Sequence, residues 1–374
     1  MRVWPGQYHE SVVISKSLSL IAVGPVIVDA AGLPNAIFVD GTHSPVSGVV
    51  VKGFTVENAQ FEGILVVDGA DITLVDNDVR HNDLNLNISS FTCPGLPAWE
   101  TAEGEDCGEG IHLVGVANSV VVHNTVEENA GGILLSDETG PTHDNVISEN
   151  KVAENPFDCG ITLAGHPQAG TFGTPLGVYN NVVEANLSVH NGYQVPGAGA
   201  GVGIFAFIPH ANMSGNVVSN NVLLRNGIPG VTLHLHAPDM NFDNIKIIHN
   251  FISGNGADED PDALTPGTAG INIGGVSAMN GLIISKNKIW DEQSDVVLNL
   301  PSPVALHLND LLGTGFGVQN LGSGTVNAVA NWWGCVGGPG ASGCSKVSSG
   351  VSYIPWLTSP VDLPIKGKKL GDHE

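Results

Sequence analysis

The stretch "NTVEENAGGILLS" (Asn124–Ser136) decides the fold, because its parts recur along the chain. The first six residues, Asn-x-apolar-x-x-Asn, return as "NDVRHN" at Asn77, "NKVAEN" at Asn150 and "NLSVHN" at Asn186. They return again as "NVLLRN" at Asn221 and "NFISGN" at Asn250, with looser copies at Gly53 and Asn287. After most copies comes glycine and a short apolar run: "GIHLV", "GILLS", "GITLA", "GIFAF", "GVTLHL", "GINIG". Copies lie roughly 24 residues apart at first and about 35 where loops are inserted, a period that marks a repeat architecture. One such unit cannot bury a face alone, so the units must stack. Gly, Asn, β-branched residues and period-two alternation exclude helices. Three short strands per coil predict an all-β, single-domain parallel β-solenoid of about ten coils. Asparagines at one corner of successive coils are expected to hydrogen-bond along the stack as ladders.

Working outward, 49 Gly, 22 Pro and only 13 % charged residues suit such a coil-and-turn chain. Lys and Arg total 13 against 37 Asp and Glu, a formal net charge of −24. That charge excludes nucleic acid and anionic membrane as partners, because few cations are available to displace counterions. No apolar run reaches the ~20 residues that span a bilayer. The opening "MRVWPGQYHESVVISKSLSLIAVG" reads as already inside the repeat, so an incomplete first coil and a removed export signal are expected. Cys93 with Cys107, and Cys335 with Cys344, each flank one loop and suggest local disulfides in an exported protein. Cys159 has no evident partner and reads as buried. Residues 1–330 form the solenoid, and 331–374 a Trp- and Pro-rich cap (Trp332, Trp333, Trp356) with a polar tail.

The Asn–Gly repeats from Gly48 to Asn299, with "VWPGQYHESVVISKSLSLIA" before and "NWWGCVGGPG" and "VSYIPWLTSP" after, resemble the right-handed parallel β-helix superfamily, the pectate-lyase-like fold. The closest resemblance is to its NosD-like and carbohydrate-binding, sugar-hydrolase branch. The resemblance implies a right-handed coil and a carbohydrate-directed or periplasmic metal-associated role. It does not select an activity, since this fold hosts many. Polyuronate lyases of this fold use Ca²⁺ with a basic residue. Here Arg80 and Arg225 lie inside the repeat and off the histidine-bearing face, which favours a neutral glycan.

Candidate chemistry follows from alternation in the strand after each ladder corner, where Ile and Leu point inward and their neighbours toward solvent. The outward set includes His112, Leu134, Ser136, Thr162, Ala164, His166, Phe205, Phe207, Thr232, His234, His236 and Asn272, with His210 just beyond its strand. Coils ~4.8 Å apart would gather His166, His210, His234 and His236, with Phe205, Phe207 and Trp99 as sugar-stacking surfaces. Three readings stand side by side. In the first, His166, His234 and His236 act as acid or base with Asp158, Asp137 or Glu138 on neighbouring coils. In the second, His234, His236 and Met240 hold copper or zinc, imidazole and thioether being ligands for such ions. In the third, the histidines are only solvated. The acidic loop Ala257–Thr268, with Asp258, Glu259, Asp260 and Asp262, offers Ca²⁺ an oxygen-rich site. Together these readings point to a secreted or periplasmic protein that binds and cleaves a neutral or weakly charged glycan on its outer face. A NosD-like metal-associated protein and a non-catalytic solenoid are the alternatives.

Overall fold

The computed structural model describes residues 1–83, 108–166 and 177–362. Among these residues every strand pairing is parallel, and three long sheets of 13, 12 and 11 strands run the length of the molecule. Successive strands of the chain pass to different sheets, and each pairs with its counterparts in the neighbouring coils. This is the parallel β-helix expected from the repeat. The Asn pattern marks about ten coils; at both ends the sheets continue with coils that lack it, such as Val12–Ile14 and Lys346–Val347.

Each coil turns where the sequence says it should. The residue before the second Asn of the repeat is left-handed: His81, Glu128, Glu154, His190 and Arg225 have φ of 54–57°. That conformation rotates the chain out of one sheet, and the following Asn locks the corner. Asn150 Oδ1 accepts from both the backbone N (2.9 Å) and Nδ2 (3.0 Å) of Asn124, while Asn150 Nδ2 donates to Val121 O (2.9 Å). The same contacts connect Asn77, Asn124, Asn150, Asn186, Asn221, Asn250, Asn287, Asn309 and Asn331 in one ladder. A second ladder runs Asn82, Asn129, Asn155, Asn191, Asn226 and Asn255, and ends on Glu292. A buried amide is costly unless paired; the ladders pair both ends of each side chain.

Inside the coils a single apolar column of Val, Ile and Leu fills the solenoid, from Ile14 to Trp333. Each such buried side chain contributes about 1.5–3 kcal/mol. Cys335 and Cys344 form the expected disulfide beyond the last ladder residue. Cys93, Cys107 and Trp99 lie outside the described residues.

Candidate functional site

The 12-stranded sheet carries the outward residues, and its register lines them up. One row reads His112, Leu134, Thr162, Gly203, Thr232, Asn272; the next reads Val114, Ser136, Ala164, Phe205, His234, Gly274. His166 and His236 follow the ends of strands Ile161–Gly165 and Val231–Leu235. This face is not open to solvent as alternation alone suggested. His112, His166 and His234 are buried, and Val195, Ala198 and Asp258 of two inserted loops are buried with them. Insertions between strands fold back over the sheet, and period two carries no information about that.

One glycine lets the acidic loop settle there. A Cβ at Gly274 would lie 2.6 Å from Ala263 Cα and 2.8 Å from Asp262 O, so only glycine permits the contact. The loop delivers Asp258, which is fully buried, onto the strand face. Asp258 Oδ2 accepts from His234 Nε2 (2.7 Å), Thr232 Oγ1 (3.1 Å) and Asn272 Nδ2 (3.0 Å). Its Oδ1 accepts from the backbone N of Asp260 (3.1 Å). Burial pushes the Asp258 carboxyl up, but the His234 hydrogen bond and charge, with the Asp260 N–H and the Asn272 amide, together hold the group below its ordinary value. Asp262 Oδ2 lies 3.3 Å from His236 Nδ1, and Asp260 Oδ2 lies 3.8 Å from His236 Nε2.

The histidines border a cleft of ≈ 350 Å³. Its walls include Asp158, Cys159, His166, Phe205, Phe207, His234, His236 and Asp260, together with Pro196–Gly199 of the glycine-rich loop. Phe207, which lines it, is 41 % exposed. Its ring stacks on His236 (centroids 4.7 Å) and lies 6.0 Å from His166. Phe205 packs beside His234 at 4.9 Å. Gly203 leaves the space the Phe205 ring occupies, since a Cβ there would meet it at 2.3 Å.

Three residues named from the sequence stand elsewhere. Met240 belongs to the apolar core, because the chain has turned its side chain inward past the strand, and it does not line the cleft of the histidines. His210 is exposed on a left-handed turn (φ 68°) beyond strand Val202–Ala206 and does not line the cleft. Asp137 accepts the backbone N–H of His166 (2.6 Å) and of Gly177, which makes it a brace for the turn that carries His166. Burial raises its carboxyl to about 6, against those backbone hydrogen bonds. Within the acidic loop, Asp258 Oδ2 and Asp262 Oδ2 face His234 and His236.

Two residues not named from the sequence, Glu62 and Glu109, join His112, Ser136 and Glu138 in a second buried polar group. Glu62 Oε1 meets His112 Nδ1 (2.9 Å), and His112 Nε2 meets Ser136 Oγ (2.7 Å). Glu138 then meets His166 Nδ1 at 3.3 Å. Burial pushes the Glu138 carboxyl up, but the hydrogen bond and charge of His166, with His112 and the Ser136 hydroxyl, together hold it below its ordinary value. Glu62, Glu109, His112, Ser136 and Glu138 are all buried. The signal for Glu62 and Glu109 was legible as Glu-Gly immediately before the apolar run, in "FEGILVV" and "GEGIHLV". It was overlooked because those positions precede the alternating part of the strand.

A model of the right-handed β-helix region matches residues 32–332 of this chain. The chain belongs to the right-handed β-helix family. As a right-handed β-helix it is similar to solved structures that share little sequence with it. Pectate lyase Pel9A is 15 % identical with a TM-score of 0.44, covering 94 % of this chain and 69 % of that one. DFA-IIIase from Arthrobacter chlorophenolicus A6, solved with GF2, is 16 % identical at 0.47, covering 94 % and 88 %. The mannuronan C-5 epimerase AlgE4 A-module of Azotobacter vinelandii is 12 % identical at 0.47, covering 96 % and 90 %. No curated protein matches the sequence. At these identities no activity is carried over from the β-helix neighbours. No helix among the described residues is long and apolar enough to cross a membrane.

Proposed function

We propose that this protein is an exported carbohydrate-active β-helix that binds a neutral or weakly charged glycan in the cleft over Phe207 and cleaves it. The observation that carries this reading is the partly exposed Phe207 ring, set between His166 and His236 in a cleft whose lining also includes Asp158 and Asp260. A sugar ring sets its apolar face against the exposed edge of the Phe207 ring and its hydroxyls against the polar groups around it. His166, backed by the buried Glu138, is the proton-transferring group, and Asp158 is the carboxylate partner. His234 and His236 orient the sugar from the other side. The net charge of −24 disfavours polyanions, which leaves neutral or weakly charged polymers. The Cys335–Cys344 disulfide suits an oxidising compartment outside the cytosol.

A panel of neutral and weakly charged polysaccharides, assayed for reducing ends and for ultraviolet absorbance of unsaturated products, tests the reading. New reducing ends without the absorbance identify hydrolysis, and both together identify elimination. His166→Ala is expected to lower turnover about 10²–10⁴-fold, the usual contribution of a positioned acid or base. No turnover by the wild type on any polymer would refute cleavage.

A further inference from the structure

We propose that His234, His236 and Asp260 form a binding site for a divalent transition-metal ion at the edge of the cleft. One ligand atom from each of the three residues falls within 4.8 Å of the other two. The two imidazole rings meet edge to face with centroids 5.1 Å apart.

Each ring is held at one nitrogen and leaves the other for an ion. His234 gives Nε2 to Asp258, which leaves Nδ1. His236 gives Nδ1 to Asp262, which leaves Nε2. That Nε2 atom is buried and makes no hydrogen bond among the described residues. A buried imidazole nitrogen without a partner costs free energy, and a metal ion would supply the missing partner. Carboxylates behind metal-binding histidines fix the tautomer and ring orientation, and Asp258 and Asp262 stand in that position. Asp258 is itself oriented by Thr232 and Asn272. The frame around the histidines is therefore built before any ion arrives.

Two nitrogens and one carboxylate oxygen suit Zn²⁺, Cu²⁺, Ni²⁺ or Fe²⁺ and not Ca²⁺, which takes oxygen ligands. Three protein ligands leave a position for water or a sugar hydroxyl, and all three residues line the cleft that holds Phe207. The other grouping of acids with a histidine, Glu62, Glu109 and His112, is different. There His112 uses Nδ1 on Glu62 and Nε2 on Ser136, so the ring has no nitrogen to spare.

The test uses the untagged full chain, stripped with a chelator and titrated with Co²⁺ in the absence of sugar. Its result is therefore separate from the fate of the glycan reading. Wild type is expected to take up stoichiometric Co²⁺ with a visible ligand-field band, to lose it to Zn²⁺, and to keep it in excess Ca²⁺. His236→Gln is expected to bind at least about tenfold more weakly, and Asp258→Asn about 10–100-fold more weakly, as partner residues behind ligands do. His190→Ala, at a surface corner paired with Glu154, is expected to bind as wild type does. Thermal melts establish that each variant is folded; should Asp258→Asn not fold, His236→Gln carries the test. The proposal is overturned if wild type fails to retain Co²⁺, if His236→Gln binds as tightly as wild type, or if Ca²⁺ displaces the ion.

Discussion

Glu292 stands where the second ladder calls for asparagine. Its Oε1 accepts from Asn255 N (2.8 Å) and Nδ2 (3.1 Å), as an Asn Oδ1 would, and the Thr268 hydroxyl also interacts with the buried carboxyl. Burial lifts its carboxyl to about 7, against the hydrogen bonds from Asn255. Above that pH the protein holds a buried charge the ladder does not need. Glu292→Gln keeps the acceptor and removes the charge. It is expected to raise stability by about 1–3 kcal/mol near pH 8, from the size of the raised pKa, and to change little near pH 5. Denaturant melts at the two pH values check this. Residues such as Glu292, Met240 and His210 show where single-residue reading fails. The pattern places a side chain relative to its strand, but not after a turn, so the core position of Met240 and the exposed turn of His210 were not legible. His234 and His236 were, because they lie within or next to a strand.

At the scale of the element, two ladders and one sheet face did most of the positioning. The Asn-x-apolar-x-x-Asn phrase contains both ladder residues and the left-handed corner between them, so its geometry was legible from one copy. The sheet face was legible in its order and not in its cover. His234 sits beside Phe205 and Gly274 because strands are in register, and register follows from the repeat. Asp258 reaches His234 from 24 residues away through an irregular loop. Loop paths depend on contacts such as the one at Gly274, which period-two reasoning does not encode. The Glu62–His112–Ser136 group shows the same divide. Its register was implied by the repeat, while its burial was not.

At the scale of the whole molecule, acids dominate, and several are buried with raised pKa values. Burial lifts Asp137 to about 6 and Glu292 to about 7, and lifts Asp295 well above its ordinary value. Between about pH 4 and 7 the folded chain binds more protons at these groups than the unfolded chain, so stability falls as pH rises through that window. Asp258 and Glu138 act oppositely: their lowered values make their contribution disappear only as pH drops below the ordinary carboxylate range. Thermal melting is therefore expected to peak on the acidic side, near pH 5, and to decline toward pH 8, with self-repulsion from a charge of −24 adding to the decline. A melting temperature that climbs steadily from pH 5 to 8 would contradict this balance.

The central claim is that the cleft over Phe207 is the glycan site. The most direct measurement is a calorimetric binding isotherm of the best polymer-derived oligosaccharide with wild type and Phe207→Ala. Phe207 is exposed and outside the core, so the variant is expected to melt as wild type does. The account predicts that the variant loses about tenfold or more in affinity, the ~1.4 kcal/mol of one aromatic contact. Equal affinity in a folded Phe207→Ala protein would place the glycan elsewhere and contradict the account.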